Sequence, residues 1–357
     1  MSYTFYLGDY TQTSSQANMK SEGIYLLSVS DEGKLEDKPV LVAKQDSPSY
    51  MAITSDHHCL VAVSEPGDNE NGSFISYCIN DDKRLECIST QKVSGLGLCH
   101  VTFSQNENYV IGIGYYDASV YVAPVDSKRH VLEPTDKVVQ KGSGPNISRQ
   151  SEAHTHSATL TPDGKYIIIC DLGTDMLVAY ELDQQTGRLK KNEKLTFHLP
   201  GGCGPRHMVF SPNGKHAYVA CELSSELQVL TYDPKEGFSL MDTVKTVPDD
   251  FKREPNYPAA IRMTEDGRFL YVSNRGEDSI ALFAVNPENG MVKRIENYST
   301  KGRYPRDFIL TNDEKLILAV NQESNNIVVY LRNANTGKLT AVDSKPIVAK
   351  PICLAEI

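Results

Sequence analysis

The chain has 357 residues and carries 36 Lys and Arg against 46 Asp and Glu, a formal net charge of −10 at pH 7. This acidic balance argues against nucleic acid and anionic membrane surfaces as partners, because phosphate groups need a basic surface. Hydrophobic residues make up 40% of the chain without forming a run that could span a bilayer, and the segment Met1 to Tyr6 has neither the basic region nor the apolar core of an export signal.

The N-terminal segment predicts three strands, at Thr4–Leu7, Gly23–Val29 and Pro39–Ala43. They are short runs rich in Val, Ile, Leu and Tyr, which is typical of strands. No run that resembles an innermost strand precedes them. We therefore expect the chain to begin with an incomplete sheet.

Six copies of one segment follow, about every 50 residues, starting near Ser47, Gly97, His154, Gly204, Tyr257 and Tyr304. Each copy predicts a short apolar strand, a polar turn, a second apolar strand, an alternating third strand and a less regular fourth strand. Turns such as Thr161–Lys165 place Asp before Gly, as hairpins require. Four strands repeated at this spacing predict an all-β fold, the β-propeller.

The C-terminal segment Lys350–Ile357 resembles a lone first strand, and its Pro351 lies 46 residues after Pro305, on the period of the repeat. Such a strand would complete the incomplete sheet at the other end of the chain, which removes a free sheet edge. We therefore predict a seven-bladed β-propeller with four-stranded blades over residues 1–357, one domain, closed by the C-terminal strand completing the N-terminal blade.

Eight cysteines are present, none in a C-x-x-C pair or at zinc-ligand spacing with His. Several, such as Cys59 and Cys170, lie within apolar strand runs. Free buried thiols are typical of a reducing compartment, and the expected localisation is therefore cytoplasmic.

Two rings of residues are predicted at one mouth of the central channel. In a propeller the first strand of each blade lines the channel and the second strand runs back antiparallel, so the start of one and the end of the other meet at the same face. The first ring holds Ser49, Cys99, His156, Arg206, Ala259 and Arg306. The second ring holds Glu65, Tyr115, Leu172 with Asp171 beside it, Glu222, Arg275 and Gln322. A mouth with converging polar groups is the expected ligand site.

Arginines in register indicate an anion-binding site, because guanidinium groups bind carboxylate and phosphate. The main alternative for Arg206, Arg275 and Glu222 is a structural salt bridge. His154 and His156 alternate in an extended segment and could face one side together, although two ligands alone are weak support for a metal site. His207 is expected to point away from the channel and to be structural, if its strand is regular.

At these residues the chain resembles the seven-bladed lactonase family, over nearly its whole length. The resemblance is carried by His154-Thr155-His156-Ser157 with Thr161-Pro162-Asp163-Gly164-Lys165, Asp171-Leu172-Gly173-Thr174-Asp175, Gly204-Pro205-Arg206-His207 with Glu222-Leu223, Tyr271-Val272-Ser273-Asn274-Arg275-Gly276, and Tyr304-Pro305-Arg306 with Asn321-Gln322. It implies a catalytic site formed by one His, two Arg and one Glu, which by motif are His156 (or His154), Arg206, Arg275 and Glu222. The remaining mouth residues are expected to bind substrate: His154, Arg306, Asp171, Gln322 and Glu65.

The resemblance implies hydrolysis of a sugar δ-lactone, in the first place 6-phospho-D-glucono-1,5-lactone to 6-phosphogluconate in the pentose phosphate pathway. The expected partner is this small anionic lactone, and no cofactor or metal is expected. The same family includes muconate cyclases, so a cycloisomerase acting on a muconate is one alternative. A non-enzymatic binding platform is another alternative, although the mouth of such a propeller is expected to be apolar. The phosphate, the oligomeric state, the choice of Glu222 or His156 as the base, and which of His154 and His156 faces the channel are left open.

Overall fold

The computed structural model describes residues 2–11, 21–36, 38–66, 70–253 and 255–357. Within these ranges the chain forms 29 β-strands arranged in seven sheets. No helix in this part of the chain is long and apolar enough to cross a membrane. Each sheet is one blade of a propeller.

The strands are numbered in chain order, and blade 1 combines both ends of the chain. Blade 1 contains β1 (Ser2–Asp9), β2 (Gly23–Ser30), β3 (Val40–Lys44) and β29 (Pro351–Glu356). Blade 2 contains β4 (Pro48–Ile53), β5 (Cys59–Ser64), β6 (Asn71–Ile79) and β7 (Leu85–Leu96). Blade 3 contains β8 (Leu98–Phe103), β9 (Tyr109–Gly114), β10 (Ser119–Pro124) and β11 (Asp136–Val139).

The next four blades follow the same order. Blade 4 contains β12 (Thr155–Leu160), β13 (Tyr166–Asp171), β14 (Met176–Asp183) and β15 (Arg188–Lys191), with the short β16 (Phe197–His198) also paired to β14. Blade 5 contains β17 (Pro205–Phe210), β18 (His216–Cys221), β19 (Glu226–Asp233) and β20 (Gly237–Lys245). Blade 6 contains β21 (Tyr257–Met263), β22 (Phe269–Arg275), β23 (Ser279–Val285) and β24 (Val292–Ser299). Blade 7 contains β25 (Pro305–Leu310), β26 (Leu316–Asn321), β27 (Asn326–Arg332) and β28 (Leu339–Pro346).

The ring closes through the C-terminal strand. Strand β29 pairs antiparallel with β1, with Tyr6 opposite Ala355, and forms the innermost strand of blade 1. It also contacts the innermost strands of the two neighbouring blades, β25 and β4. The predicted seven-bladed fold and its closure by the C-terminal strand are confirmed.

Apolar side chains fill the space between neighbouring blades. Between blades 4 and 5, for example, Ile168 and Leu177 pack with Met208 and Val219 in one buried cluster. In blades 2 to 7 every residue of the second strand is buried, which is why these strands are mainly apolar in sequence. All eight cysteines are free thiols, and six of them are buried.

A β-bulge interrupts the start of the innermost strand in blades 2 to 7. In β17 the paired positions jump from Pro205↔Cys221 to His207↔Ala220, which leaves Arg206 as the extra residue. The same jump leaves Ser49, Cys99, His156 and Arg306 unpaired in their strands, and in β21 it includes Ala259. The first ring predicted from the sequence therefore coincides with these bulges, which commonly re-aim side chains near binding sites.

The bulge corrects the prediction for His207. Regular alternation would turn its side chain away from Arg206, but two residues of β17 oppose one residue of β18 here. The His207 imidazole lies 3.3 Å from the Arg206 guanidinium, Nε2 to an amino nitrogen, and packs edge-on against His156 and His100. The expectation that His207 points away from the channel is wrong.

The opposite end of the innermost strands is built alike in blades 2 to 7. A Ser or Thr hydroxyl donates a hydrogen bond of 2.6–2.9 Å to the Asp or Asn two residues later, in the pairs Thr54–Asp56, Ser104–Asn106, Thr161–Asp163, Ser211–Asn213, Thr264–Asp266 and Thr311–Asp313. These short side chains are favoured in turns because they bond nearby backbone groups. We call this set the repeated turns.

Candidate active site

One buried carboxylate gathers three arginines at the channel mouth. Glu222 follows β18 and is 5% exposed. Its Oε2 lies 2.5 Å from an amino nitrogen of Arg275 and 3.4 Å from Nε of Arg206. Its Oε1 lies 2.6 Å from an amino nitrogen of Arg149. Three positive charges share one negative charge, so this group, the Glu222 cluster, carries a net positive charge inside an acidic protein.

Arg275 is held rigidly. It ends β22, and its Nε and one amino nitrogen donate to the backbone oxygens of Tyr257 and Pro258 at 3.1 and 3.3 Å. Its guanidinium also lies over the Tyr304 ring, 5.1 Å from the centroid. A guanidinium fixed in this way presents its remaining donors without losing further side-chain freedom.

Arg206 is almost fully enclosed, with its side chain 3% exposed. Ser157 of blade 4 donates to the Arg206 carbonyl at 2.7 Å, which fixes the bulge. The Nε of Arg206 makes no hydrogen bond of good geometry among the described residues. Burial and the charges of Arg275 and Arg306 lower the pKa of Arg206 to about 9, so the group remains charged at neutral pH.

The same crowding acts on the two candidate bases. Although burial alone would raise it, the charges of Arg275 and Arg206 hold the pKa of Glu222 well below its usual range. Burial and the charge of Arg206 lower the pKa of His156 well below its usual range, so the imidazole is neutral at pH 7. Its Nδ1 is buried and has no hydrogen-bond partner among the described residues, so it is available to a bound ligand.

The structure separates the two histidines that the sequence left undecided. His156 lies at the bulge of β12, 5% exposed, with its ring 5.4 Å from that of His207 in the channel. His154 lies further out, stacked on Tyr115 with ring centroids 4.6 Å apart. His156 thus faces the interior of the channel, and His154 forms part of the wall beside it.

A second charged group lies around Glu65. The Tyr10 hydroxyl donates to Glu65 at 2.8 Å, and the Arg306 guanidinium lies over the Tyr10 ring, 5.3 Å from its centroid. Burial raises the pKa of Glu65, while Arg306 opposes this rise. The charge of Arg306 also lowers the pKa values of Arg206 and His156. The Glu65 group and the Glu222 cluster therefore lie at the same mouth of the channel.

The two remaining predicted residues have different surroundings. Asp171 is 1% exposed and accepts hydrogen bonds from the backbone nitrogens of His154 and Gly173, at 2.9 and 3.1 Å. It shapes the loop that carries His154. Gln322 is 9% exposed, and its Oε1 has no hydrogen-bond partner among the described residues.

Arg149 was missed by the sequence reasoning because it lies outside the repeat. It belongs to the loop between β11 and β12. One signal was available: 57 residues separate Leu98 from Thr155, whereas the corresponding spacing in the other copies is 47 to 53. Long insertions at one face of a repeat protein often carry function.

A cavity of about 560 Å³ opens at the other end of the channel. Tyr50, His100, His207 and Arg262 contribute to its lining, but none of the predicted site residues does. Arg262 is already paired with Asp307 at 3.0 Å. In the described ranges, no three His, Cys, Asp or Glu side chains are grouped so that they could hold a metal ion.

The chain is similar to a known protein family and to several proteins of known structure. Residues 4–356 match the model of a family described as lactonase, 7-bladed β-propeller. A 6-phosphogluconolactonase of Bacillus subtilis is 36% identical over 353 residues, covering 99% of this chain and 97% of the relative. The solved structure of a periplasmic gluconolactonase from Pseudomonas aeruginosa aligns with a TM-score of 0.92 at 28% identity, over 100% of this chain and 99% of the other. A Lactobacillus plantarum protein of known structure aligns with a TM-score of 0.91 at 31% identity, over the whole of both chains.

Proposed function

The chain belongs to the lactonase family of seven-bladed β-propellers and hydrolyses sugar lactones, and from that premise we propose that the reaction takes place at the Glu222 cluster. We propose 6-phospho-D-glucono-1,5-lactone as the substrate, by analogy with the Bacillus relative. The observation that carries this proposal is the sharing of one buried carboxylate by three guanidinium groups. Such a group has spare positive charge for an oxyanion and an anionic substrate.

The proposed reaction has two steps. Glu222 accepts a proton from water while the water oxygen bonds to the lactone carbonyl carbon, and the carbonyl oxygen becomes an oxyanion. The tetrahedral intermediate then collapses: the bond from the carbonyl carbon to the ring oxygen breaks, and Glu222 returns its proton to that oxygen. The products are a carboxylic acid and a free hydroxyl group, and the acid loses its proton to solvent.

The arginines supply the electrostatic part of this mechanism. Arg206 and Arg275 are buried, and Arg275 is fixed by backbone oxygens, so their donors are oriented before the charge develops. The unpartnered His156 Nδ1 is available for a hydrogen bond to a substrate hydroxyl, and His156 is the alternative base. Because δ-lactones hydrolyse readily without a catalyst, the enzyme needs to supply only a modest acceleration, and these few groups are sufficient for it.

The proposal is tested by following fresh 6-phosphoglucono-δ-lactone and subtracting spontaneous hydrolysis. We expect the wild-type protein to accelerate the reaction and the isosteric Glu222→Gln variant to lose about 10²–10⁴ in turnover, the range typical of a general base. A muconate serves as the comparison substrate and should not react. Turnover of the muconate but not of the lactone would overturn the proposal. The cytoplasm and the pentose phosphate pathway are the setting we propose for this activity.

A further inference from the structure

Arg149 differs from the other two arginines of the Glu222 cluster in its exposure. Its side chain is 33% exposed, whereas those of Arg206 and Arg275 are 3% and 4% exposed. It comes from the long loop between β11 and β12 rather than from a strand. It is therefore the one of the three that solvent, or an arriving ligand, reaches first.

The loop is anchored beside Arg149, at Gln150. The Gln150 side chain is fully buried, donates to the backbone oxygen of Leu172 at 2.8 Å and accepts from the backbone nitrogen of Asn146 at 3.0 Å. The Arg149 guanidinium lies over the Tyr257 ring at 5.5 Å and 3.4 Å from the Tyr115 hydroxyl. The backbone is thus fixed, while the guanidinium lies against an aromatic ring and, among the described residues, contacts only side chains.

The two oxygens of Glu222 are held unequally. Oε2 is held from inside by Arg275 and Arg206, both buried. Oε1 has Arg149 as its partner among the described residues. Movement of Arg149 alone would therefore free one oxygen and leave the inner ion pairs in place.

We propose that Arg149 recognises the anionic group of the lactone that lies away from the reacting ester, and that its transfer from Glu222 to this group frees Oε1 as the base. The idea rests on the proposed function and names the substrate class as a lactone carrying a phosphate. A phosphate dianion offers a guanidinium more charge and more acceptor oxygens than one carboxylate oxygen does. The binding energy of the remote group is thereby used to activate the catalytic residue.

The electrostatics of the cluster support this coupling. With three guanidinium groups around it, Glu222 has a strongly depressed pKa and is a poor proton acceptor. Removing one positive charge moves the carboxylate towards its ordinary basicity. A neutral lactone leaves Arg149 on Glu222 and should react slowly, whereas a phosphorylated lactone should react fast.

The test compares phosphorylated and unphosphorylated glucono-δ-lactone in the wild type, Arg149→Gln and Arg149→Lys. We expect the wild type to prefer the phosphorylated lactone, and Arg149→Gln to reduce that preference in kcat/KM by about ten- to hundredfold, the effect of one lost hydrogen bond between charged groups. The kcat for the neutral lactone should rise in Arg149→Gln, because Oε1 of Glu222 is then free of its ion pair. Arg149→Lys should recover part of the preference.

Inorganic phosphate gives a second readout. It should accelerate hydrolysis of the neutral lactone by the wild type, because it draws Arg149 away, and should not do so in Arg149→Gln. Arg253→Gln is the matched control, since Arg253 is an exposed arginine before β21 that pairs with Asp278 instead. It should behave as the wild type.

Two results would overturn the inference while leaving the proposed function intact: an unchanged substrate preference in Arg149→Gln, or phosphate that only inhibits the wild type. If the wild type accelerates neither lactone, the proposed function fails, and the inference fails with it.

Discussion

The two ends of the innermost strands differ in how far they repeat. At one end, blades 2 to 7 carry the repeated turns, and the same hydroxyl–carboxylate or hydroxyl–amide contact returns six times. At the other end the bulge returns in every one of these blades, but the side chain differs: Ser49, Cys99, His156, Arg206, Ala259 and Arg306. The backbone is repeated at both ends, and the chemistry is repeated at only one.

The difference separates stability from function. A contact that returns in six blades has the same structural role each time, namely closing a hairpin. A position that keeps its backbone but changes its side chain can bring unlike groups together around one axis, and here it brings two arginines and a histidine to the mouth. We therefore expect substitutions at the mouth to change the reaction rate, and substitutions at the repeated turns to change stability.

Among the substitutions that compare the two ends of the innermost strands, the largest effect is expected at Arg275. Arg275→Met removes a fixed donor to the oxyanion and should lower kcat/KM for the lactone by about 10²–10³. Arg268→Met is the matched control at the other end, where Arg268 pairs with Asp266 at 2.7 Å on the surface. The control should retain wild-type turnover, and circular dichroism should show both variants folded. Wild-type turnover in Arg275→Met would contradict the claim that the mouth of the channel carries the reaction.

A smaller effect is expected from pH, through the buried imidazoles of the channel. Burial lowers the pKa of His100 to about 3, whereas an unfolded chain binds this proton near pH 6.5. Between these values the unfolded state holds more protons, so stability is present above pH 6.5 and is lost as the pH falls towards 3. At pH 5 the loss from His100 alone is about 2 kcal/mol.

Urea unfolding at pH 7 and pH 5 measures this loss. His100→Asn keeps an acceptor near the backbone nitrogen of Ala158 but cannot titrate, so it should lose less stability between the two pH values than the wild type. His57→Asn, at an exposed turn with a positive φ that Asn tolerates, is the matched substitution outside the channel. Equal pH dependence in the wild type and His100→Asn would contradict the account of a buried neutral imidazole.

The smallest effect is expected at the repeated turns. Thr161 is 2% exposed, and its hydroxyl accepts from the backbone nitrogen of Tyr166 at 3.0 Å and donates to Asp163 at 2.6 Å. Thr161→Val keeps the shape and leaves that buried nitrogen without its partner, at a cost of about 1–2 kcal/mol in the free energy of unfolding. Turnover of the lactone should not change. A rate loss without a stability loss would reverse the roles assigned to the two ends.

Much of this architecture is readable in the sequence because it is periodic. The spacing of the copies and the two incomplete ends predicted the blades and the closing strand, since each blade must bury the same apolar positions. The register of the mouth was also readable, because Arg206 and Glu222 hold fixed places relative to the turn between their strands. The period of the sequence therefore predicts those features whose backbone is repeated from blade to blade.

What was not readable depends on departures from regular geometry. The prediction for His207 failed because alternation along a strand assumes that no bulge intervenes, and the sequence does not show the extra residue at Arg206. Arg149 was not predicted because it lies in a loop, and the strand register that placed the other mouth residues does not extend into a loop. The contacts of Asp171 were not readable either: its carboxylate accepts hydrogen bonds from the backbone nitrogens of His154, before β12, and of Gly173, after β13.

A crystal structure with bound 6-phosphogluconate, the product of the proposed reaction, tests most directly whether the chemistry lies at the variable end of the channel. We predict that the product lies at the mouth, with its carboxylate within hydrogen-bond distance of Arg206 and Arg275 and its phosphate on Arg149. Product bound in the cavity at the other end, between Tyr50, Phe103 and Arg262, would contradict the assignment of function to the mouth.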